Sequence, residues 1–424
     1  MSASAARLTV LSSLGEIERE AWDACANPGW NSKAPFGADT SLFFNGLRGN
    51  ADSGTEDAEL ASERPAYNPF ISHDFLRCLE EAGSAVGRTG WQGRHLVLDD
   101  AEGRPEAVVP CYQKTHSMGE YVFDHGWADA FERAGGRYYP KLQVSVPFTP
   151  VTGRRLLVRP DADASAKATL AAGLGELCRR IGASSVHATF LEDDDAAILG
   201  GAGFLPRVDQ QFQFDNPGYR DFQDFLDALS SGKRKTIRRE RRDALAGGLE
   251  VEILTGKAID EAAWDAFFAF YTDTGARKWG RPYLNRRFFS LLGEAMADRV
   301  LLIFAKRGSE RIAGALNLIG SDALYGRYWG TLEEVPFLHF EICYHQAVEW
   351  AIAHGLPRVE AGAQGEHKLA RGYRPVITRS AHWIADRNFR TAVADYLRRE
   401  RAAVEAEHEI LDEHTPFKAE PPAR

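Results

Sequence analysis

Cysteine is scarce in this sequence and long apolar runs are absent, and both facts exclude classes of protein. The chain of 424 residues has five cysteines. Because that number is odd and no CxxC pair occurs, neither a disulfide framework nor a zinc cluster is expected. No segment approaches the length of a membrane span, and the first residues lack the apolar core of a signal peptide. We therefore expect a cytoplasmic protein that does not insert into membranes.

An excess of positive charge is also absent. The formal net charge of −9 argues against a general coating of nucleic acid, because the whole chain repels phosphate. P-loop, nucleophile-elbow and dinucleotide-binding motifs are missing as well. The composition, 44% hydrophobic and 26% charged, is typical of a soluble globular protein and the length allows two or three domains.

The chain does contain an internal repeat. A strand-and-helix pattern carries the tripeptide WDA at 22–24 and again at 264–266, and a predicted hairpin follows each copy. A Gly-aromatic-x-Pro turn begins at Gly203 and again at Gly372. Two unrelated α+β domains can share one such match by chance, but three matches in the same order favour a duplication.

The repeat divides the chain into four parts. We predict a first domain over 1–215 with a loop insertion at 27–66, where Gly, Asn, Asp, Ser and Pro interrupt every periodic pattern. A basic helical linker is predicted at 216–248 and a second domain at 249–395. A C-terminal helix and tail then occupy 396–424.

A very polar turn follows the last buried strand of the second domain. Loops at the ends of rigid strands often carry sites, so we interpret this turn as the floor of a ligand pocket. The alternative is a solvated polar loop. In the ligand-pocket interpretation, the candidate residues of this turn are Gln364, Lys368 and Arg371 for substrate binding, and Glu366 or His367 as a general base.

The helix before that turn adds further acid and base groups. Glu341, Tyr344 and His345 are spaced to share one helical face. An amine that attacks an activated ester or thioester needs a base, donors for the tetrahedral oxyanion and an acid. In the alternative interpretation both residues are structural: Tyr344 packs in the core, and Glu341 is a charge near the start of the helix that the helix dipole stabilises. The candidate catalytic residues are Glu366, His367, Glu341, Tyr344 and Tyr328.

The first domain has its own polar and aromatic stretch at 116–131. We interpret His116, Glu120, Asp124 and Trp127 as a groove that suits an amine or peptide acceptor. The alternative is a set of core aromatics with incidental charges. Alternating His and Cys residues near 339–345 would scatter around a helix axis, so no metal site is expected.

The segment 232–245 concentrates positive charge. On a helix its cations form adjacent stripes, which favours contact with phosphate, although a solvated linker face is the alternative. The candidate phosphate- or tRNA-binding residues are Lys233, Arg234, Lys235, Arg238, Arg239 and Arg242.

These motifs occur together in one known family. The strings NPFISHDFL, GKRKTIRRER, FEICYHQAVEWAI and GAQGEHKLARGYRP, in this order, resemble the FemAB-like "peptidoglycan biosynthesis/recognition" family of GNAT-related proteins. The resemblance covers about residues 68–395. It implies an α+β fold of two tandem GNAT-like (acyl-CoA N-acyltransferase) domains, as in the Fem ligases. Those ligases move an amino acid from aminoacyl-tRNA to a peptide amine, and a positively charged helical element serves their tRNA binding.

One departure from the GNAT pattern concerns the acyl donor. GNAT proteins bind the CoA pyrophosphate at a glycine-containing turn before a long helix, where this chain reads EEVPFLHFE without glycine. The resemblance implies an N-acyltransferase with no tightly bound cofactor, with acetyl-CoA or aminoacyl-tRNA as donor and a small-molecule or peptide amine as acceptor. The alternative is a non-catalytic protein that recognises a peptide or cell-wall precursor.

Overall fold

A computed structural model describes residues 7–30, 64–279, 282–362 and 365–418. The chain divides into two compact units. Unit 1 consists of 1–30, 70–210 and 377–406, and unit 2 of 31–69, 211–376 and 407–424. Most of the predicted loop insertion, residues 31–63, lies outside the described residues.

Unit 1 is mixed α and β. Its elements are β1 (Arg7–Leu11), α1 (Arg19–Ala26), α2 (His73–Glu81), β2 (Trp91–Gly93), β3 (His95–Asp99), β4 (Pro105–Val109), β5 (Cys111–Lys114), α3 (His125–Arg133), β6 (Lys141–Val144), β7 (Leu157–Val158), α4 (Ala166–Arg180), β8 (Ser185–Leu191) and α5 (Asp193–Gly201).

Unit 2 is also mixed α and β. Its elements are α6 (Phe222–Ala228), α7 (Ser231–Ala244), β10 (Leu249–Thr255), α8 (Glu261–Trp279), α9 (Arg286–Met296), β11 (Val300–Arg307), β12 (Glu310–Ile319), β13 (Ala323–Thr331), the continuous helix α10 (Leu338–Phe340, Glu341–His345 and Gln346–Ala353), β14 (Arg358–Glu360) and a 3₁₀ turn (Glu366–Arg371). Three elements have residues in both units: β9 (Leu205–Asp215), β15 (Arg374–Ile384) and α11 (Arg387–Glu413).

The strands of unit 1 form two layers around α4. One sheet has the order β1-β3-β4-β7, and in the other β2, β5, β6 and β8 are neighbours, with β6 and β8 parallel. Leu170 and Leu174 of α4 are fully buried, as are Leu96 and Leu142 of the strands. Burial of these apolar side chains is the main source of the unit's stability.

The strands of unit 2 lie in a single sheet. β10, β11, β12 and β13 are successive antiparallel neighbours, and β13 then pairs with β14 in parallel. The side chain of Asn285 accepts a hydrogen bond from the Phe288 N–H and so caps the start of α9. Ile303 and Ile342 are fully buried in the core between the sheet and α10. The predicted α+β class with two GNAT-like units is confirmed.

The repeated motifs occupy matching positions. Trp22 lies in α1 and Trp264 in α8, and both indoles are buried. An antiparallel hairpin follows in each unit, β3 with β4 and β11 with β12. The turn glycines also match, because Gly203 has φ of 86° and Gly372 has φ of 89°. Only glycine adopts this left-handed conformation at no steric cost.

The unit boundaries differ from the predicted domain boundaries. Residues 213–215 of β9 pair with β14 in unit 2, and residues 379–384 of β15 pair with β8 in unit 1. The predicted linker 216–248 belongs to unit 2, where Ile237 of α7 is buried in the core. The C-terminal helix begins at Arg387 instead of 396. Which strand a segment pairs with is a long-range property that local sequence does not encode.

Two general properties of the described residues bear on function. No helix among them has the combined length and hydrophobicity of a membrane span. No group of three or more His, Cys, Asp or Glu side chains in the described part of the chain is arranged to hold a metal ion.

Candidate active site in unit 2

A small pocket of about 90 Å³ opens beside α10 in unit 2. Its walls come from β12, β13, α10 and the residue that follows β14. The lining residues are Ala315, Leu316, Asn317, Gly326, Arg327, Tyr328, Trp329, His339, Cys343, Tyr344 and Ala361. Two of the predicted catalytic residues, Tyr328 and Tyr344, are among them.

A β-bulge shapes the strand side of the pocket. Leu316 pairs with Tyr328, but the next residue of β12, Asn317, pairs with Gly326, so Arg327 is the extra residue of the bulge. A bulge of this kind bends the strand and re-aims side chains, and bulges are frequent next to active sites. All five residues line the pocket. The bulge is therefore the feature that places these residues there.

A π turn shapes the helix side. Glu341–His345 forms a π-helical segment, and the Gln346 N–H bonds to the Glu341 carbonyl five residues earlier. Such single turns inside α-helices are frequent at functional sites. Tyr344 lines the pocket, whereas Glu341 and His345 are buried against α7. The three residues expected to share one face thus have two different environments.

Tyr344 and His367 form the pair that links the pocket to the polar turn. The Tyr344 hydroxyl lies 3.0 Å from His367 Nε2. Burial raises the pKa of Tyr344, so the phenol stays protonated. Partial burial, together with the positive charges of Arg371 and Lys368, lowers the pKa of His367. A neutral imidazole is the form that accepts a proton, so the pair has the protonation states that proton transfer requires.

Lys368 lies on the same turn and is unusual for a lysine. Its side chain is 1% exposed, and its ammonium donates a hydrogen bond to the Gly362 carbonyl over 2.9 Å. Burial and the positive charge of Arg327 lower the pKa of Lys368 to about 7. Among the described side chains no carboxylate contacts its Nζ. Arg327 itself is paired with Glu360 at 3.3 Å.

Side chains of helix α7 bind both the π turn of α10 and the polar turn. Its Arg241 donates bidentate hydrogen bonds of 3.1 Å to the Glu341 carboxylate, and Gln346 donates a further one of 2.7 Å. Its Glu240 accepts a 2.8 Å hydrogen bond from Arg371 at the end of the polar turn. Glu341 and Arg371 are therefore engaged within unit 2 and position the elements around the pocket.

The outer face of α7 carries the predicted phosphate-binding cations. Arg234 is half-buried and pairs with Asp227 at 2.6 Å, and Arg242 pairs with its neighbour Asp243 at 2.8 Å. The remaining four cations, all exposed, are Lys233, Lys235, Arg238 and Arg239. The described part of the helix thus presents a cationic surface outward and its anchoring residues inward.

The predicted acceptor groove at 116–131 is a buried cluster of charges in unit 1. Asp124 Oδ2 accepts hydrogen bonds from Lys141 Nζ over 2.6 Å and from the Tyr138 hydroxyl over 2.7 Å. Glu120 Oε1 lies 3.3 Å from the same ammonium. The structure brings these side chains together, but two of the predicted binding groups are engaged by lysine.

The other two predicted acceptor residues lie at the edges of this cluster. His116 Nε2 is 2.9 Å from the Thr89 carbonyl oxygen. Trp127 packs edge-on against His382, with ring centroids 5.0 Å apart. Their part in acceptor binding stays a prediction.

The side chains of two predicted residues of the polar turn are not among those that the structure describes. Gln364 lies outside the described residues, and for Glu366 the structure gives the backbone alone, as the first residue of the 3₁₀ turn. A role for either side chain stays a prediction.

Several residues of the site escaped the sequence analysis. Asn317, Arg327 and Cys343 line the pocket, and Glu240 and Arg241 anchor its supports. The sequence did contain a signal for Glu240 and Arg241. Glu240 is a glutamate within a run of cations, which is not expected of a helix that only binds phosphate. For the first three no local signal exists, since the bulge and the π turn decide where they point.

Comparison with solved structures gives several likenesses at low sequence identity. Solved structures with a similar fold include FemX (14% identity, 73% of this chain and 92% of that chain, TM-score 0.45) and L-PGS from Bacillus licheniformis (11%, 78% and 98%, 0.47). A third is a tandem GNAT protein from the clavulanic acid biosynthesis pathway (12%, 90% and 98%, 0.39). At these values the likenesses carry no inference about activity. A search of curated proteins gives no match.

The fold defines a protein of the tandem GNAT-like class. Within that class the chain belongs to the FemAB-like family, described as peptidoglycan biosynthesis/recognition, whose match extends over residues 13–419.

Proposed function

We propose that the protein forms amide bonds, by transferring an acyl or aminoacyl group from an activated ester or thioester to a small-molecule or peptide amine of the peptidoglycan type. The family supports the class of acceptor. The observation that carries the proposal is the 3.0 Å contact between Tyr344, which lines the pocket, and His367 of the polar turn, a turn that also contains the buried Lys368. A base, an acid and a cation are the groups that acyl transfer to an amine uses.

The chemistry assigns one task to each group. The amine nitrogen attacks the carbonyl carbon of the donor, and a nitrogen–carbon bond forms while the ester or thioester bond breaks. The proton that the amine loses passes through the Tyr344–His367 pair to the leaving oxygen or sulfur. We assign to Lys368 in its charged form the stabilisation of the negative oxygen of the tetrahedral intermediate, because no carboxylate among the described side chains contacts its ammonium and such a cation gains most from a new anion.

Two features favour an aminoacyl-tRNA donor over acetyl-CoA. The segment before α10, EEVPFLHFE, has no glycine at the position of the CoA turn and so lacks the turn whose backbone N–H groups would face the CoA phosphates. The exposed cations of α7 offer positive charge to a polynucleotide.

A transfer assay with labelled donors tests the proposal. Labelled aminoacyl-tRNA and labelled acetyl-CoA are each incubated with the protein and a peptidoglycan-type peptide that bears a free amine. We expect label in the peptide, and we expect His367→Ala and Glu366→Gln each to lower the rate by at least about 100-fold with the fold unchanged. His414→Ala, which removes an exposed histidine just after α11, serves as the control.

Two results would contradict the proposal. Full turnover by both variants would remove the polar turn from catalysis. Transfer from neither donor would favour the alternative, a protein that binds a peptide or cell-wall precursor without chemistry.

A further inference from the structure

A second pocket, of about 400 Å³, lies within unit 1 and takes no part in the function proposed above. Ligand pockets in proteins usually measure roughly 300–1,000 Å³, so this one has room for a small molecule. It opens between the end of α2, the loop after that helix, strand β2 and the segment that follows β1. Its charged and amide side chains are Arg77, Glu80, Glu81 and Gln92.

The Glu80 carboxylate forms a fixed wall of this pocket. Its Oε2 accepts hydrogen bonds from the Ser13 hydroxyl over 2.9 Å and from the Leu14 N–H over 2.8 Å. The Cys111 N–H donates to His95 Nδ1, so Nε2 of this imidazole bears the proton. His95 Nε2 then donates to Glu80 Oε1 over 2.7 Å. Three donors from within unit 1 therefore hold this carboxylate in place.

Gln92 is the polar side chain of the pocket that is open to a ligand. It is half-buried in β2 and lines the pocket. Among the described residues none bonds to its side-chain amide. Both amide atoms keep accessible surface, so a ligand in the pocket reaches them. A carboxamide donates and accepts hydrogen bonds, and a second amide is the group that complements both functions.

Gly87 provides the space in which the Gln92 amide lies. An ideal Cβ built on residue 87 would be 2.6 Å from Gln92 Oε1, which is too close for a real contact. The φ of Gly87 is outside the left-handed region, so its backbone does not require glycine. The absence of a side chain at this position therefore serves the placement of the amide at the pocket.

Charge and apolar lining narrow the class of ligand. The pocket contains two carboxylates, Glu80 and Glu81, and one guanidinium, Arg77, whose Nε lies 3.3 Å from Glu81 Oε2. This excess of negative charge disfavours phosphates and other anions. Ala85 and Val86 add apolar surface. A neutral ligand that joins an amide to a methyl group fits this lining.

We propose that this pocket binds a neutral secondary amide, which pairs with the Gln92 carboxamide and places its methyl group against Ala85 and Val86. A peptide bond next to a small side chain and the N-acetyl group of an amino sugar both supply this chemistry. The proposal concerns unit 1 alone and does not depend on the transfer reaction proposed for unit 2.

Binding of two pairs of neutral probes tests the proposal. N-acetylglucosamine and glucose form the sugar pair. N-acetylalanine methylamide and methyl O-acetyl-lactate, which has esters in place of both amides, form the peptide pair. NMR titration of the full-length protein, labelled with ¹⁵N in its glutamine side chains, gives the dissociation constants. We expect the amide member of at least one pair to bind about tenfold more tightly and to shift the Gln92 resonance, because it gains a donated and an accepted hydrogen bond. The pair that shows the preference identifies the source of the amide.

Two variants locate the effect. Gln92→Leu should bring the two members of that pair within about twofold, because it removes the carboxamide and keeps a side chain of similar size. Gly87→Ala retains every polar group but displaces the Gln92 amide, so it should weaken the amide probe by at least about threefold and leave its partner unchanged. This second variant keeps the test valid where Gln92→Leu is unstable.

Each variant has a matched control. Gln113→Leu changes the residue that pairs with Gln92 across β5, which is not a lining residue. Gly200→Ala adds a methyl group at a helical position of unit 1 with open space around it. Both controls should leave all dissociation constants unchanged.

Three results overturn the proposal. They are equal dissociation constants within both pairs, no saturable binding of any probe, and an amide preference that survives both Gln92→Leu and Gly87→Ala. A preference that these two variants remove and the controls keep supports it. Because no acyl donor enters these measurements, neither result changes the test of transfer, and a failure of transfer leaves this pocket's binding in place.

Discussion

The two units each bury lysine side chains, but they balance the charge differently. In unit 1, Lys141 lies 2.6 Å from Asp124 and 3.3 Å from Glu120, and Lys114 lies 3.6 Å from the same glutamate. In unit 2, the buried ammonium of Lys368 has the Gly362 carbonyl as its hydrogen-bond partner. Two carboxylates thus balance two lysines in one unit, and among the described side chains no carboxylate balances Lys368 in the other.

We interpret this difference as one between a structural cluster and a candidate site. A buried charge is costly unless it is paired, so a balanced cluster is what a core tolerates. Residues that violate this rule and border a pocket are those expected to meet a ligand. The charges at 116–131, interpreted from the sequence as an acceptor groove, form the balanced cluster. The polar turn of unit 2 carries Lys368, which no carboxylate among the described side chains balances.

The comparison predicts opposite stability effects for two matched substitutions, and this is the largest effect we expect. Lys141→Met leaves Asp124 buried without its ammonium partner and should lower the free energy of unfolding by roughly 3–5 kcal/mol. Lys368→Met removes an unbalanced charge and should leave stability unchanged or raised. Urea unfolding at neutral pH measures both. Equal losses in the two variants would show that both lysines are structural.

The pH dependence of Lys368→Met sharpens the same contrast. The pKa of Lys368 is lowered from 10.5 to about 7 in the folded protein. Between these values the unfolded chain binds more protons, so the lysine destabilises the native state fully below about pH 7 and less as pH rises. The variant should therefore gain on the order of 5 kcal/mol near pH 6, and the gain should fall to about 1 kcal/mol or less near pH 10.

Unfolding curves of wild type and variant across this range give the result. Lys257→Met, at an exposed position, is the control and should show no such trend. A gain that does not change with pH would mean that packing, not charge, causes it.

The sequence was a good guide to the fold because its signals are local. The α+β class, the order of elements in each half and the turn glycines Gly203 and Gly372 all follow from periodicity and from the conformations that glycine permits. The unit boundaries did not follow. The final strand of each half pairs where hydrogen-bonding partners are available, and that depends on the whole chain.

For the site, the sequence located the elements but not the geometry. Tyr344 and His367 were both expected, and their contact joins α10 to the polar turn. The bulge at Arg327 and the π turn each depend on one residue more than the regular pattern, which composition does not reveal. They decide that Arg327 lines the pocket and that Glu341 faces α7.

Substitutions on the outer face of α7 should have the smallest effect on stability. Their effect on tRNA binding should be large. Arg238 and Arg239 are both exposed, as are Arg398 and Arg399 on α11. Replacing either pair by alanine should change the free energy of unfolding by no more than about 0.5 kcal/mol. Binding to charged tRNA should respond only to the α7 pair, because that pair belongs to a continuous cationic face.

The slope of log affinity against log salt concentration should fall by roughly one to two units for Arg238→Ala with Arg239→Ala, because each arginine that neutralises a phosphate adds about one unit to the slope. The Arg398→Ala and Arg399→Ala pair should leave the slope unchanged. If both pairs reduce it equally, the attraction comes from the overall charge of the chain and α7 has no particular role. If neither does, the cationic face of α7 is a solvated surface, as the alternative interpretation of its sequence holds.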